Sequence, residues 1–270
     1  MHWEKARGGT LIGLKHVLVI LCLMVGLAVA NGAASVRIMT QNMDAGTDYH
    51  YALDLGLPSG VDATLAALQA SMIPQRAALI GAKIAAELPD LVALEEVSLW
   101  RVGPTPLNAT QTLYDQLQLL LAALAANGAS YKVVMVNNLT DIALPGSTGA
   151  LRLTDRDALL IRVGPLPAAV QLSDVQAHIY AAGLNIFGLG AKQGWISANV
   201  HSGNRCFRLA VTHLESAIPG FQVATDVQLA QTAQLLLSQP FLLLPVVICG
   251  DFNSDADFGS GVDATRFKVE

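Results

Sequence analysis

The side chains best suited to chemistry in this chain stand in short polar clusters that each follow an apolar run: Asn42, then Glu95 and Glu96, then His213 with Glu215, then Asp251 with Asn253. Glu96 and Asp251 are hard oxygen donors suited to Mg²⁺ or Mn²⁺. Asn42, Asn253 and His213 are neutral groups that can position a phosphate oxygen or a water without displacing an ion. Singly, each has an ordinary structural use: Asn42 as a turn former, Glu96 as a solvated charge, Asp251 and Asn253 as a tight turn after Gly250, His213 as a hydrogen-bonded core histidine. Together they match what phosphoester hydrolysis needs, an activated nucleophile and compensation for charge developing on phosphate oxygens. Arg156 adds either a cationic phosphate contact or a surface charge at a strand end. Other hydrolytic chemistries fit less well. The chain has no Gly-x-Ser-x-Gly elbow, Ser202 lacks a persuasive base, and there is no His-Glu-x-x-His helix.

A rigid sheet can hold several short polar side chains at one mouth when its strands end there. The apolar alternation at Val36 and Ile38 predicts a strand delivering Asn42, and Leu91 to Leu94 predicts a second leading into Glu95 and Glu96. Further strands are predicted over 131–136, 157–163, 194–201, 207–213 and 244–249. Helices are predicted over 61–70, 75–87, 112–126 and 225–238, with Pro74 placed to start the second and Asn127-Gly128 to stop the third. The order begins β-α-β-α and becomes strand-rich, which points to stacked sheets flanked by helices.

Taken in chain order, Thr40-Gln41-Asn42, the run from Pro89 to Val97, the run from Asp155 to Leu160, the run from Thr212 to Ser216, and Gly250-Asp251-Phe252-Asn253 resemble successive signatures of the endonuclease/exonuclease/phosphatase superfamily. The resemblance spans residues 36–255. It implies an α/β fold of two stacked mixed sheets flanked by helices, a four-layer α/β/β/α sandwich, and a divalent ion, Mg²⁺ or Mn²⁺, held chiefly by Glu96 with Asn42 nearby. It further implies that Asp251 orients or deprotonates the attacking water and that Asn253 and His213 contact the scissile phosphate. The implied substrate is a phosphodiester, in nucleic acid or in a phospholipid headgroup. The superfamily pattern continues past the Gly-Asp-Phe-Asn segment to a Ser-Asp-His segment, whereas residues 263–270 contain no histidine. The expectation is therefore a domain over 31–270 with its last strand or strands missing. Loss of a general acid or base costs about 10²–10⁴ in rate, so an active enzyme and an inactive secreted binding protein of the same fold both stay open, as does a poorly folding chain with an uncovered sheet edge.

Residues 1–30 have the plan of a secretory signal: Lys5, Arg7 and Lys15 flank an apolar run from Val17 to Ala30 that ends in Ala28-Val29-Ala30. The run is shorter than the roughly 20 residues that span a bilayer, so the expectation is cleavage and export without a membrane anchor. Cleavage removes three of 16 basic and one of 21 acidic residues, leaving 13 against 20, a net charge near −7. An acidic surface excludes a protein that coats nucleic acid through cationic patches, and a polyanionic substrate would need bound cations to bridge the repulsion. No obligate protein partner is indicated. Of the cysteines, Cys206 and Cys249 remain after cleavage, each inside a strand-like apolar run, and are expected to be reduced and buried.

Overall fold

The computed structural model describes residues 35–47, 58–164, 170–186, 189–216 and 222–254. The signal-like segment 1–30 and the tail 263–270 lie outside them. Strands β1 (Ile38–Asn42) and β2 (Leu91–Glu95) pair in parallel. They are joined through helices α1 (Pro58–Ala70) and α2 (Ile73–Glu87). The first sheet is completed by β3 (Leu99–Gly103), β4 (Gln111–Asp115), β5 (Tyr131–Pro145) and β6 (Ala150–Arg162). The second contains β7 (Val170–Ile179), β10 (Gly194–Ser202), β11 (Arg205–His213) and β12 (Val246–Asp251), in the order β12-β11-β10-β7. A two-stranded ribbon, β8 (Asn185–Ile186) with β9 (Leu189–Gly190), stands apart from both.

Strand β6 organises the first sheet. Its register with β5 runs from Ala150 to Arg162, with shifts between Val133 and Met135 and between Asn138 and Asp141. On the other edge β3 takes Ala150 to Thr154 and β2 takes Ala158 to Ile161. Between them Asp155, Arg156 and Asp157 meet only the β2–β3 connection, where the Val97 N–H donates to the Arg156 carbonyl at 2.7 Å.

The period of two in each strand then sorts the layers. Leu91, Ala93 and Leu159 from the first sheet meet Ile196, Ala198, Val200, Leu209 and Val211 from the second, all fully buried. The opposite residues of the first sheet, Val92, Leu94, Ala158 and Leu160, pack on α2 and on α3 (Gln116–Ala126) through Ala77, Ile84, Leu120 and Leu124. On the far side Trp195, Ala210 and Tyr180 pack on Leu235 of α4 (Gln222–Leu237). Each such buried aliphatic side chain stabilises the fold by roughly 1.5–3 kcal/mol. The layers are helix, sheet, sheet, helix, as the resemblance implied.

Several elements differ from the sequence expectation. The helix predicted over 112–126 begins at Gln116, because Gln111 to Asp115 pair with β3 and the Asp115 carboxylate caps the helix by accepting from the Leu117 and Gln118 N–H groups. Strands β5 and β6 are longer than predicted, since their polar residues are paired across a hairpin that the period could not reveal. Strands β3 and β7 had no prediction. The cysteines are unpaired as expected but half-buried rather than buried.

Gly250 sets the end of β12. It has φ of +132°, and a Cβ there would lie 1.9 Å from the Thr212 carbonyl oxygen of the neighbouring strand. Backbone cannot yield as a side-chain tip can. Gly250→Ala should destabilise by more than about 1 kcal/mol, read as a lowered thermal midpoint, and a variant as stable as wild type would contradict the packing of β11 on β12. The thiols give a second test. Cys249 pairs in register with Val211, five residues beyond Cys206 on β11, and at about 3.3 Å per residue no disulfide can form. Although Cys249 as a whole is half-buried, its thiol packs against the core between the sheets, and this desolvation, with Glu95 adding, pushes it up to about 12. Both thiols should titrate in the unfolded, non-reduced protein, with Cys249 reacting slowly in the native one; absence of free thiol would overturn the register.

Candidate active site

Counting by two along the strands predicts where their polar ends point. On β1 Asn42 follows Ile38 on the inner face, on β2 Glu95 follows Leu91 and Ala93, on β11 His213 follows Leu209 and Val211, and on β12 Asp251 follows Val247 and Cys249. On β6 Asp155 and Asp157 share the face of Leu159. All of these reach one end of the gap between the sheets.

There the Asn42 amide bridges the two sheets, its Nδ2 donating to Glu96 Oε1 at 2.8 Å and to Asp251 Oδ2 at 2.8 Å. Its Oδ1 accepts from the Asp44 N–H at 2.7 Å. The second oxygen of Glu96 accepts from the Ala45 N–H at 2.8 Å. Glu96 reaches this position because its own φ is +53°, which interrupts the alternation after β2. Asn253 is left-handed as well, with φ of +46°. Such residues cost about 1–3 kcal/mol each when not glycine, and here local hydrogen bonds offset that. Asp251 Oδ1 accepts from the Asn253 N–H at 2.8 Å, and Asn253 Nδ2 donates to the Leu214 carbonyl at 2.8 Å.

Glu96, His213 and Asp251 each offer a ligand atom, and the three lie within 4.8 Å of one another. His213 is 3% exposed, and its Nδ1 faces Asp157 Oδ1 at 3.5 Å, a long contact across the sheets. Burial alone would lower the His213 pKa, but the carboxylate of Asp157, with Asp155 and Glu96 beyond it, outweighs burial and holds the imidazole well above its ordinary value. Burial raises the Asp157 carboxyl in turn, and the His213 imidazole opposes that shift. Burial pushes the Asp155 carboxyl up to about 7; the charge on His213 opposes this and those of Asp157 and Glu96 add to it. Glu95 is also raised well above the usual carboxylate range, first by burial and then by Asp157, while Thr40 donates to it at 2.9 Å and opposes the shift.

Of the residues singled out by sequence, the structure gathers Asn42, Glu96, His213, Asp251 and Asn253. It does not bring Arg156 to them. Arg156 lies mid-strand on β6 and, one residue from Asp155 and Asp157, faces the helices. Its Nε donates to the Val97 carbonyl at 2.7 Å and its guanidinium pairs with Asp115 at 2.6 Å. The histidine on β10, His201, is remote from the group: it lies seven residues along the strand from Gly194, the residue opposite His213, and bonds Ser173 at 2.7 Å. Asp155 and Asp157 were not singled out from sequence. Their signal was present as two carboxylates of equal parity leading directly into the apolar run Ala158 to Ile161 of the same strand.

No family model matches this sequence, and no curated protein matches it. Solved structures do. An endonuclease/exonuclease/phosphatase from Beutenbergia cavernae DSM 12333 is 24% identical, with 66% of this chain and 42% of that one covered and a TM-score of 0.44. The human Nocturnin catalytic domain is 21% identical over 82% of this chain and 64% of its own, at TM-score 0.46. An endonuclease/exonuclease/phosphatase family protein from Bacteroides thetaiotaomicron is 12% identical over 83% and 66%, at TM-score 0.50. The chain thus spans less than two thirds of each of the three. With its two mixed sheets, its outer helices and this similarity to the Bacteroides protein, the chain has the endonuclease/exonuclease/phosphatase fold.

Proposed function

We propose that this chain is a divalent-metal-dependent phosphoesterase that hydrolyses phosphodiesters, in nucleic acid or a phospholipid headgroup, and that it is exported after loss of residues 1–30. The observation that carries the reading is the bridge from Asn42 to Glu96 and Asp251 at the common end of β1, β2, β11 and β12. The donor set fits Mg²⁺ or Mn²⁺. Two carboxylates converge on the Asn42 amide with one imidazole beside them, so oxygen donors dominate the set. Glu96, with Asn42 beside it, would hold the ion, and the ion would supply charge compensation to phosphate oxygens.

The remaining steps belong to this chain's own groups. Asp251 orients the attacking water and takes its proton, the Asn253 N–H donated to Oδ1 and the Asn42 amide on Oδ2 fixing the carboxylate's direction. His213, its Nδ1 facing the Asp157 carboxylate, donates toward a phosphate oxygen. Asn253 uses one amide hydrogen on the Leu214 carbonyl and keeps the other for phosphate. Trp100 and Trp195 are both buried, so neither offers the exposed indole that would favour a lipid surface. Among the described residues no helix is long and apolar enough to cross a membrane.

Calorimetry with Mn²⁺ tests the ligand. Glu96→Gln should weaken binding at least about tenfold, equivalent to roughly 1.4 kcal/mol, whereas Glu95→Gln, replacing a carboxyl bonded to Thr40, should have the smaller effect. Equal affinity in wild type and Glu96→Gln would remove Glu96 from the site. Activity is tested with bis-p-nitrophenyl phosphate, plasmid DNA and sphingomyelin in Mg²⁺, on the chain alone and joined to the last strands of a related active enzyme. Asp251→Asn should cost about 10²–10⁴ in kcat with little change in KM, because the group acts in the transition state. A folded, metal-binding protein inactive on all three in both forms would instead be a binding protein.

A further inference from the structure

Helix α4 carries glutamines on its inward face where spacing alone would place apolar residues. Ala224, Gln228, Gln231 and Leu235 form one stripe at intervals of four, three and four. Ala224, Gln231 and Leu235 are buried, and Gln228 is half-buried. Gln228 Nε2 lies against three backbone carbonyls at once: Glu215 at 2.9 Å, Phe252 at 3.0 Å and Asn253 at 2.7 Å. Gln231 completes the contact, its Oε1 accepting from the Glu215 N–H at 2.7 Å and its Nε2 donating to the Ala182 carbonyl at 3.0 Å.

These carbonyls belong to two different loops. Glu215 follows His213 out of β11, and Phe252 and Asn253 follow Asp251 out of β12. Beyond the strand ladder the loops are otherwise tied by the Leu214 N–H donating to the Asp251 carbonyl at 2.9 Å and by Asn253 Nδ2 on the Leu214 carbonyl. Asn253 is meanwhile held left-handed, a conformation that needs its neighbours to over-determine it.

We propose that Gln228 is a positioning residue: its side-chain amide clamps the loop after His213 to the loop after Asp251, and so sets the spacing between the imidazole, the carboxylate and the Asn253 amide. It touches no reacting atom. A glutamine suits the place because its two amide hydrogens reach several carbonyls while adding no charge beside an already acidic site. The consequence for rate rests on the phosphoesterase reading above; the clamp itself does not.

Gln228→Met keeps the length and removes both donors, and Gln234→Leu is the control. Gln234 lies on the same helix and loses a comparable bond, its Oε1 accepting from the Ala181 N–H at 2.9 Å, but it meets neither loop. Amide hydrogen exchange on the full chain is followed in peptides covering 213–216 and 250–254. In Gln228→Met both peptides should exchange about tenfold faster, the effect of losing roughly one net hydrogen bond, and in Gln234→Leu neither should change. Where the protein or its extended form hydrolyses bis-p-nitrophenyl phosphate, Gln228→Met should lower kcat about 10²-fold through misplacement and leave KM nearly unchanged. Should Gln228→Met fail to fold, Gln228→Asn, which retracts the amide by one methylene, carries the same comparison. Wild-type exchange in both peptides of the Gln228 variant, or equal acceleration by Gln234→Leu, overturns the proposal. Absence of hydrolysis in every form sinks the phosphoesterase reading, and the exchange comparison still decides the clamp.

Discussion

Among the described residues, the carboxyl groups of Glu95, Glu96, Asp155, Asp157 and Asp251 crowd one end of the gap between the sheets, with the His213 imidazole and the bridging Asn42 amide among them. Two like charges 4 Å apart repel by about 4 kcal/mol at an effective dielectric constant of 20, which is comparable to what two buried leucines contribute. The fold tolerates this through neutralisation and through donors. Burial keeps the Asp155 carboxyl protonated to about pH 7, and Glu95 is shifted the same way. Asp157 is compensated by His213, and Glu96 and Asp251 share the Asn42 amide. The rest of the architecture holds these groups in place. The paired ends of β1 and β2 present Asn42 beside Glu95, those of β11 and β12 present His213 beside Asp251, and the seam left on β6 between β2 and β3 gives Asp155 and Asp157 a place in the same gap.

Much of this was legible in the chain because strand parity carries it. Once Leu91, Leu209 and Val247 are taken as core residues, counting by two turns Glu95, His213 and Asp251 inward, and the apolar runs before them set the strand ends. Glu96 was legible by type but not by geometry. On a regular strand it would face away from Glu95, and only its positive φ returns it to the site, a backbone choice that no pattern announces. The strand Gln111–Asp115 was hidden for another reason. Its residues run straight into a leucine-rich helix, and the break is made by pairing to β3 and by the Asp115 cap, neither of which leaves a periodic trace. Arg156 shows the converse limit: a cation inside a motif looks like a phosphate contact until parity is applied, and parity turns it toward Val97 and Asp115.

That last placement bears on how a phosphodiester would be attracted at all. The chain is acidic, and the arginines nearest the group are already engaged. Arg156 is 8% exposed and paired to Asp115, and Arg76 is paired to Asp44 beside Asn42. Arg156 is tied to a mostly buried carboxylate that would be left uncompensated if it moved to bind substrate, and removing a partner from a buried pair costs about 3–5 kcal/mol, whereas the exposed Arg76–Asp44 pair is held by no more than about 1 kcal/mol. On the proposed reading the attraction for phosphate therefore falls to His213, whose imidazole Asp157 holds above its ordinary pKa, and to an ion accepted by Glu96. Both depend on the same inward-facing acids that repel a bare polyanion. On that reading the acids that would repel a bare phosphate are the groups that would hold a cation, and a bound cation would reverse the sign of the field where the scissile phosphate would lie.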